Sequence, residues 1–261
     1  MSRTRSLAFG AILIFLSLPA SCGGSVQARP DTLEVYAASS LTEAFTRLEG
    51  AFEAAHPNVD LRLTFAGSQV LRLQIEAGAK ADVFASANAT HAGALVQAGL
   101  AADPVPFAAN HLVLVVPLED TTGILALEDL PRAKRLVLAM PSVPAGAYAD
   151  ELLRRAGEAY GAEFEAGVEH SIASREPNVR LVRAKVELGA ADAALVYRTD
   201  ALASDRVRLV ELPETLAPRV RYVAARVGEA RRSAPAGQFL AFLRSAPGRA
   251  VLQAHGFEPL P

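Results

Sequence analysis

Two serine residues stand where a predicted strand gives way to a predicted helix. Ser40 follows the apolar run Leu33–Ala37, and Ser68 follows the predicted strand Leu61–Phe65. The first turn of a helix has free N–H groups and the positive end of the helix dipole, and both attract anions. A serine hydroxyl adds a donor there, and Gly67 would let the backbone approach a ligand closely. Ser40 and Ser68 are therefore candidates for binding an anion.

The residues around Ser40 match a helix start. The segment Ser40–Glu43 fits the capping-box pattern, and the apolar residues that follow recur at helical spacing. We therefore predict that Ser40 is the N-cap of a helix over Thr42–Ala55. Ser39 is a second candidate for the anion contact, and the capping pattern favours Ser40 over it.

Two more predicted helices begin with residues that offer only a backbone N–H. Ala145 follows the predicted strand Leu136–Ala139, and Val179 follows Asn178. Tyr197 ends another predicted strand and could add a phenolic O–H. Each helix N-terminus carries roughly half a positive charge, so four of them offset about two negative charges. That charge suits a tetrahedral oxyanion such as molybdate or sulfate.

Each of these residues also has an ordinary structural explanation. Ser and Asn commonly cap helices that bind nothing, and Tyr197 alone fits a buried strand end. Arg180 fits a surface ion pair, or a supporting charge beside a cleft. The repetition of such helix starts, rather than any one residue, indicates a binding site.

Composition and motif content argue against several function classes. The chain has 261 residues, 51% of them hydrophobic, and a formal net charge of −2. No stretch is strongly basic, which argues against nucleic acid as the main partner. The five histidines show no metal-ligand spacing, and no nucleophile-elbow, phosphate-loop or dinucleotide motif occurs. We therefore predict a binding protein rather than an enzyme, with no catalytic residues and no cofactor.

The first residues predict export from the cytoplasm. Positively charged residues precede the apolar segment Leu7–Leu18, which is too short to span a membrane. We interpret 1–22 as a signal peptide ending at the only cysteine, Cys22, the place of the acylated residue in a bacterial lipoprotein. Cleavage near Ala28 with plain secretion is the alternative. Residues 23–31 predict a flexible tether, so the body is expected at the periplasmic or extracytoplasmic face, held to the membrane by lipid alone.

Strand-like and helix-like segments alternate along the rest of the chain, which favours an α/β fold with largely parallel sheets. One unit occurs twice. A helix begins at Ser68 or Asn178, and an aspartate, Asp82 or Asp192, then begins the next strand. This repetition suggests two similar lobes with a binding cleft between them. The long apolar run His111–Pro117 could cross from one lobe to the other.

Six segments resemble, in their order and spacing, the periplasmic molybdate-binding proteins of ABC importers. They are Ala38–Thr42, Phe65–Ser68, Gln74–Phe84, Val143–Gly146, Asn178–Arg180 and Val196–Ala201. The resemblance covers essentially the whole chain after the leader. It departs from many relatives at Gly67 and Gln69, where they have serines.

The resemblance implies a two-lobed, type II periplasmic-binding-protein architecture with the ligand in the interlobe cleft. The implied lobes are lobe I, 32–109 plus 222–261, and lobe II, 110–221. The implied oxyanion contacts come from both lobes, without direct bonds from the protein to the metal. They are hydroxyl and backbone donors of Ser40 and Ser68, the N–H groups of Ala145 and Val179, and the hydroxyl of Tyr197.

The function that the resemblance implies is capture of molybdate, or tungstate, by a monomer that delivers it to the permease and ATPase of an ABC importer. A site with donors only would reject hydrogen phosphate, because the proton of that anion needs an acceptor. The alternatives are a protein that binds sulfate or another tetrahedral oxyanion, a secreted ligand sensor, and a secreted hydrolase.

Overall fold

The computed structural model describes residues 30–119, 122–228 and 234–260. The predicted signal peptide, Cys22 and nearly all of the predicted tether lie outside these ranges. Within them, no helix combines the length and the apolar character needed to cross a membrane. The described chain forms two five-stranded sheets with helices packed against them.

The first sheet joins strands from both ends of the chain. Its strands are β1 (Asp31–Ala38), β2 (Val59–Ala66), β3 (Val83–Ser86), β4 (Ala101–Asn110) and β10 (Val220–Val227). The order across the sheet is β2-β1-β3-β10-β4. β1 runs parallel to β2 and β3, and β10 runs antiparallel to β3 and β4.

The second sheet uses only the middle of the chain. Its strands are β5 (Leu112–Pro117), β6 (Leu136–Ala139), β7 (Ile172–Glu176), β8 (Ala193–Tyr197) and β9 (Val207–Val210). The order across this sheet is β7-β6-β8-β5-β9. β6 runs parallel to β7 and β8, and β5 runs antiparallel to β8 and β9.

The two sheets therefore share one topology, position by position. Each is mixed, so the prediction of largely parallel sheets is wrong for half of the strand pairs in the described chain. The antiparallel pairs arise because the strand that enters each sheet from the other one, β5 or β10, runs against both of its neighbours.

Helices follow the strands in both halves of the chain. The helices are α1 (Thr42–Ala55), α2 (Ser68–Glu76), α3 (Ala89–Gln97), α4 (Pro144–Tyr160), α5 (Ala162–Ser171), α6 (Val179–Glu187), α7 (Arg198–Leu202), α8 (Ala234–Arg244) and α9 (Ala246–Ala254). Short 3-10 turns cover Ser39–Leu41 and Leu127–Arg132. The C-terminal α8 returns to the first lobe, where the ring of Phe239 packs edge-on against Phe45 and Phe52 at 5.9 and 5.3 Å between centroids.

The repeated aspartates have the same role in both lobes. The carboxylate of Asp82 accepts the N–H of Glu34 on β1 at 2.8 Å. The carboxylate of Asp192 accepts the N–H groups of Lys134 and Arg135, at 3.1 and 3.0 Å, just before β6. Each aspartate thus ties the start of its own strand to the neighbouring parallel strand, which agrees with the strand-start position of the repeat.

Four of the described helices and strands, β4, α5, β7 and α7, have no counterpart in the sequence prediction. The segment Asp103–Pro106 holds two prolines, which is typical of a loop. It is accommodated because β4 is an edge strand with irregular register against β10. α5 and β7 follow Gly161, whose φ of 94° ends α4, and the partly polar β7 also lies at a sheet edge.

Candidate functional site

All five positions predicted to hold an anion line one small cavity between the two sheets. They are Ser40, Ser68, Ala145, Val179 and Tyr197. The cavity has a volume of about 10 Å³, which is room for about one water molecule. None of the described residues that line it has a charged side chain. The described ranges also contain no group of three or more His, Cys, Asp or Glu residues suited to hold a metal ion.

The local structure at Ser40 differs from the predicted capping box. A 3-10 turn over Ser39–Leu41 precedes α1, and the N-cap of α1 is Leu41, which has no side-chain capping bond to the described helix. The hydroxyl of Thr42 donates to the carbonyl of Ser39 at 2.7 Å. The Ser40 hydroxyl lies instead 2.8 Å from the hydroxyl of Tyr222. Ser40 is therefore oriented by a distant tyrosine and not by the helix that follows it.

Ser68 is the first residue of α2 rather than its cap. Gly67 occupies the N-cap position, and the hydroxyl oxygen of Ser68 accepts the N–H of Ala87 at 3.2 Å. This bond occupies a lone pair of the oxygen and leaves the hydroxyl proton available to donate. Ser68 is only 1% exposed, so its remaining donor faces the protein interior beside the cavity.

The second lobe contributes two helix starts with apolar side chains. α4 begins with Pro144, which has no N–H, so the first donor of its turn is Ala145. α6 begins at Val179 after the N-cap Asn178, whose side chain accepts the N–H of Leu181 at 3.0 Å, as the sequence predicts. These two turns therefore offer donors that belong to the main chain.

Tyr197 ends β8 and is 1% exposed. Its hydroxyl has no hydrogen-bond partner within the described part of the chain. Burial holds the pKa of Tyr197 well above its usual value, so the phenol stays protonated and can donate. A buried donor without an acceptor is costly unless something else pairs with it. Tyr197 is therefore a buried strand end whose unpaired hydroxyl, in the cavity wall, is the clearest indication that the cavity binds a ligand.

Asp200 is a buried acid that the sequence analysis missed. It lies in the first turn of α7, shortly after Tyr197, and is 2% exposed. One of its carboxyl oxygens has no hydrogen-bond partner among the described residues. Burial raises the pKa of Asp200 and the neighbouring Arg183 lowers it, with a net pKa of about 7. An acid three residues after the strand-ending Tyr197 matches a helix start, and this spacing could have identified it.

Side-chain contacts also join the two lobes around the cavity. They include the ion pair between Arg180 and Glu43, the hydrogen bond from Gln69 to the carbonyl of Pro177 at 2.8 Å, and the hydrogen bond from His91 to the carbonyl of Ser142 at 3.1 Å. Burial lowers the pKa of His91, which favours its neutral ring. Arg180 thus pairs across the cleft, between α6 and α1.

Comparison with known proteins identifies a family. The family model described as bacterial extracellular solute-binding protein matches residues 33–258. The molybdate-binding protein ModA of Mycobacterium tuberculosis is 35% identical over 254 residues, which cover 96% of this chain and 94% of that protein.

Two solved structures show the same fold at lower identity. The periplasmic molybdate-binding protein of Azotobacter vinelandii is 20% identical with a TM-score of 0.75, over 88% of this chain and 99% of that one. The sulfate-binding protein SubI of Mycobacterium tuberculosis is 18% identical with a TM-score of 0.76, over 88% of this chain and 87% of that one. These likenesses confirm the predicted two-lobed α/β architecture, and the chain belongs to the bacterial extracellular solute-binding proteins.

Proposed function

We propose that this protein captures molybdate, or its congener tungstate, and delivers it to the permease of an ABC importer whose ATPase drives uptake. The observation that carries the proposal is the hydroxyl of Tyr197, unpartnered among the described residues, in the wall of a cavity lined by four helix starts. The 35% identity to a molybdate-binding protein over nearly the whole chain supports the choice of anion. As predicted, family membership makes the chain a binding protein and not an enzyme.

The donor set fits a fully deprotonated tetrahedral anion. Ser40, Ser68 and Tyr197 bring hydroxyl groups, and Ala145 and Val179 bring backbone N–H groups. The helix starts add partial positive charge that offsets about two negative charges. No carboxylate of the described chain lines the cavity. The proton of hydrogen phosphate would need a hydroxyl group of the site to accept it instead of donating to the anion, which costs affinity.

Capture requires movement of the lobes. The cavity has room for about one water molecule, and interlobe contacts surround it. A tetrahedral anion is larger, so it enters and leaves when the lobes separate, and the lobes then enclose it. The enclosed form is the one that we expect the permease to recognise.

The protein acts outside the cytoplasm, as its family does. We further propose that it acts as a monomer and is attached to the membrane by acylation of Cys22. Several acyl chains are needed for stable attachment, since one chain binds only marginally. Fractionation of cells expressing wild type and Cys22→Ala tests the anchor: wild type in the membrane and the variant in the soluble fraction support it. A soluble wild type cleaved near Ala28 would show plain secretion instead.

Calorimetric titration of the purified soluble domain with molybdate, tungstate, sulfate and phosphate tests the choice of anion. We expect molybdate and tungstate to bind far more tightly than sulfate, and phosphate to bind weakest near neutral pH. Equal affinity for sulfate and molybdate would contradict the proposal and favour a sulfate-binding protein. The shared fold of the two solved relatives cannot make this distinction, because they bind different anions at nearly equal structural similarity.

A further inference from the structure

Gln69 lies next to the anion site but outside the cavity wall. It is the second residue of α2, directly after Ser68, and is 8% exposed. We propose that Gln69 is a positioning residue that holds the two lobes together around the anion and slows its release. This inference rests on the proposed function, because it concerns the lifetime of the same complex.

The hydrogen bond made by Gln69 joins two helix starts from different lobes. Its Nε2 donates to the carbonyl of Pro177 at 2.8 Å. Pro177 directly precedes Asn178, the N-cap of α6, and Val179 follows. The bond therefore links the turn that carries Ser68 to the turn that carries Val179. Any separation of these two turns, which release of the anion requires, must break it.

Gly67 leaves the space that this hydrogen bond needs. A Cβ atom at residue 67 would lie 2.6 Å from Oε1 of Gln69 and 2.7 Å from the carbonyl oxygen of Pro177. The backbone at Gly67 has φ −60° and ψ 138°, which any residue adopts. Glycine is thus required by the close approach of the lobes and not by the backbone angles. A methyl group here would act as a wedge between Gln69 and the second lobe.

The Gln69 amide gains one hydrogen bond on closure and buries one unpaired atom, so we infer that its net stabilisation is too small to close the lobes without the anion. Nε2 of Gln69 gains a partner across the cleft, while its Oε1 is buried without one among the described residues. Burying an unpaired acceptor offsets part of the gain from the new bond. The anion must then supply the remaining stabilisation of the closed form. Gln69 is expected to lengthen the life of the loaded state without locking the unloaded one.

Two substitutions remove the contact in different ways. Gln69→Met keeps the length of the side chain and removes the amide, and Gly67→Ala inserts the wedge. Two matched controls leave the cleft untouched. Gln74→Met makes the same change on the exposed side of α2. Gly50→Ala adds a methyl group on α1 where no described atom outside that stretch of helix lies within 4 Å.

The measurement is the release of radiolabelled molybdate from each protein after addition of excess unlabelled molybdate. We expect Gln69→Met to release it about two- to fivefold faster than wild type, the lower part of the range of one neutral hydrogen bond, because the unpaired Oε1 offsets part of the gain. Gly67→Ala, which places a methyl group against the carbonyl oxygen of Pro177, should release it at least as fast as Gln69→Met. For Gln69→Met, which lies outside the cavity wall, the association rate and the preference for molybdate over sulfate should stay unchanged. Both controls should match wild type.

The outcomes separate this inference from the proposed function. If wild type binds molybdate and both cleft variants release it at the wild-type rate, the role of Gln69 is wrong and the proposed function stands. Slower association with unchanged release would also overturn that role, because it would indicate a damaged site. A wild type that binds neither molybdate nor tungstate would overturn the proposed function and this inference with it.

Discussion

The two lobes have the same strand order but bring different chemistry to the cavity. The first lobe presents the hydroxyl groups of Ser40, in the 3-10 turn before α1, and of Ser68, at the start of α2. The second lobe presents Ala145 and Val179, whose side chains have no polar atoms, and adds the hydroxyl of Tyr197. Equivalent topology therefore fixes where donors can converge, and the residue at each helix start decides what kind of donor arrives.

Side-chain donors and main-chain donors respond differently to amino-acid substitution. The hydroxyls of the first lobe are oriented by other partners, Tyr222 for Ser40 and the N–H of Ala87 for Ser68. Side-chain substitutions can retune them. The main-chain donors of the second lobe persist through most substitutions, since every residue except proline keeps its N–H. The side-chain donors, two from the first lobe and Tyr197 from the second, are then the part of the site that substitution can adjust.

The largest expected effect concerns the stability of the folded protein, and it comes from a difference between the ends of the equivalent strands β3 and β8. β3 leads to the neutral N-cap Asn88, whereas β8 leads to the buried acid Asp200. The pKa of Asp200 is raised to about 7 in the folded protein from an ordinary 3.8. The unfolded chain therefore releases this proton at a lower pH than the folded protein does. The resulting penalty to the free energy of unfolding grows as the pH rises from about 4 to 7. The penalty approaches about 4 kcal/mol above that range.

We expect Asp200→Asn to be more stable than wild type at pH 8, with the gain shrinking towards pH 4. Urea unfolding of both proteins across this range measures it. Asp205→Asn, a change at an exposed position in the same segment, is the control and should show no such trend. A gain of equal size at pH 4 and pH 8 would show that the charge of Asp200 is not its cause.

Val179→Pro tests whether the second lobe binds through its main chain. Proline is favoured at the first position of a helix, and the preceding Asn178 already has the extended backbone that proline requires. The change removes one N–H while keeping α6. We expect molybdate affinity to fall roughly a hundredfold, the upper part of the range for a hydrogen bond to a charged group. Val179→Ala keeps the N–H and should change affinity only a few-fold by calorimetry.

Ser40→Ala and Ser68→Ala test the first lobe. Each should weaken molybdate binding by roughly ten- to a hundredfold, because each removes a donor to a charged ligand. Ser39→Ala should have a smaller effect, since Ser40 is the serine that Tyr222 orients. Titration of the three variants checks this order. Greater damage from Ser39→Ala would move the contact by one residue.

Ionic strength gives the smallest expected effect. The donors in the cavity wall are neutral and enclosed, and salt screens mainly exposed charges. Raising salt from about 0.05 to 0.5 M should weaken molybdate binding no more than about threefold. A steep loss would show that a charged side chain acts on the anion. Arg180, paired with Glu43 across the cleft, would be the first to test by substitution.

Much of the fold could be predicted because its signals are local. Apolar spacing and helix starts placed α1 at Thr42–Ala55 and the end of a strand at Tyr197, as the structure has them. β4 was missed because its prolines are tolerated only at a sheet edge, and edge position depends on strand order. Local sequence carries no information about that order.

The site shows the same division between local and distant signals. Four of the five candidate positions could be selected from helix starts and Tyr197 from a strand end, and the structure brings all five to one cavity. The partner of Ser40 could not be predicted, because Tyr222 is 182 residues away in the sequence. The contact between Gln69 and Pro177 spans 108 residues. Which hydroxyl is oriented, and where the lobes touch, depend on packing alone.

The position of β10 between β3 and β4 determines the order in which the chain can complete its sheets. In the described first sheet, β3 and β4 are not neighbours, and each pairs with β10. During synthesis, which proceeds from the N-terminus, β4 has no strand to pair with in that sheet until residues 220–227 have been made. The second sheet needs only residues 112–210. A chain cut before Val220 would keep every described strand of the second sheet and leave the first in two pieces, so the lobe that begins first is the one that finishes last.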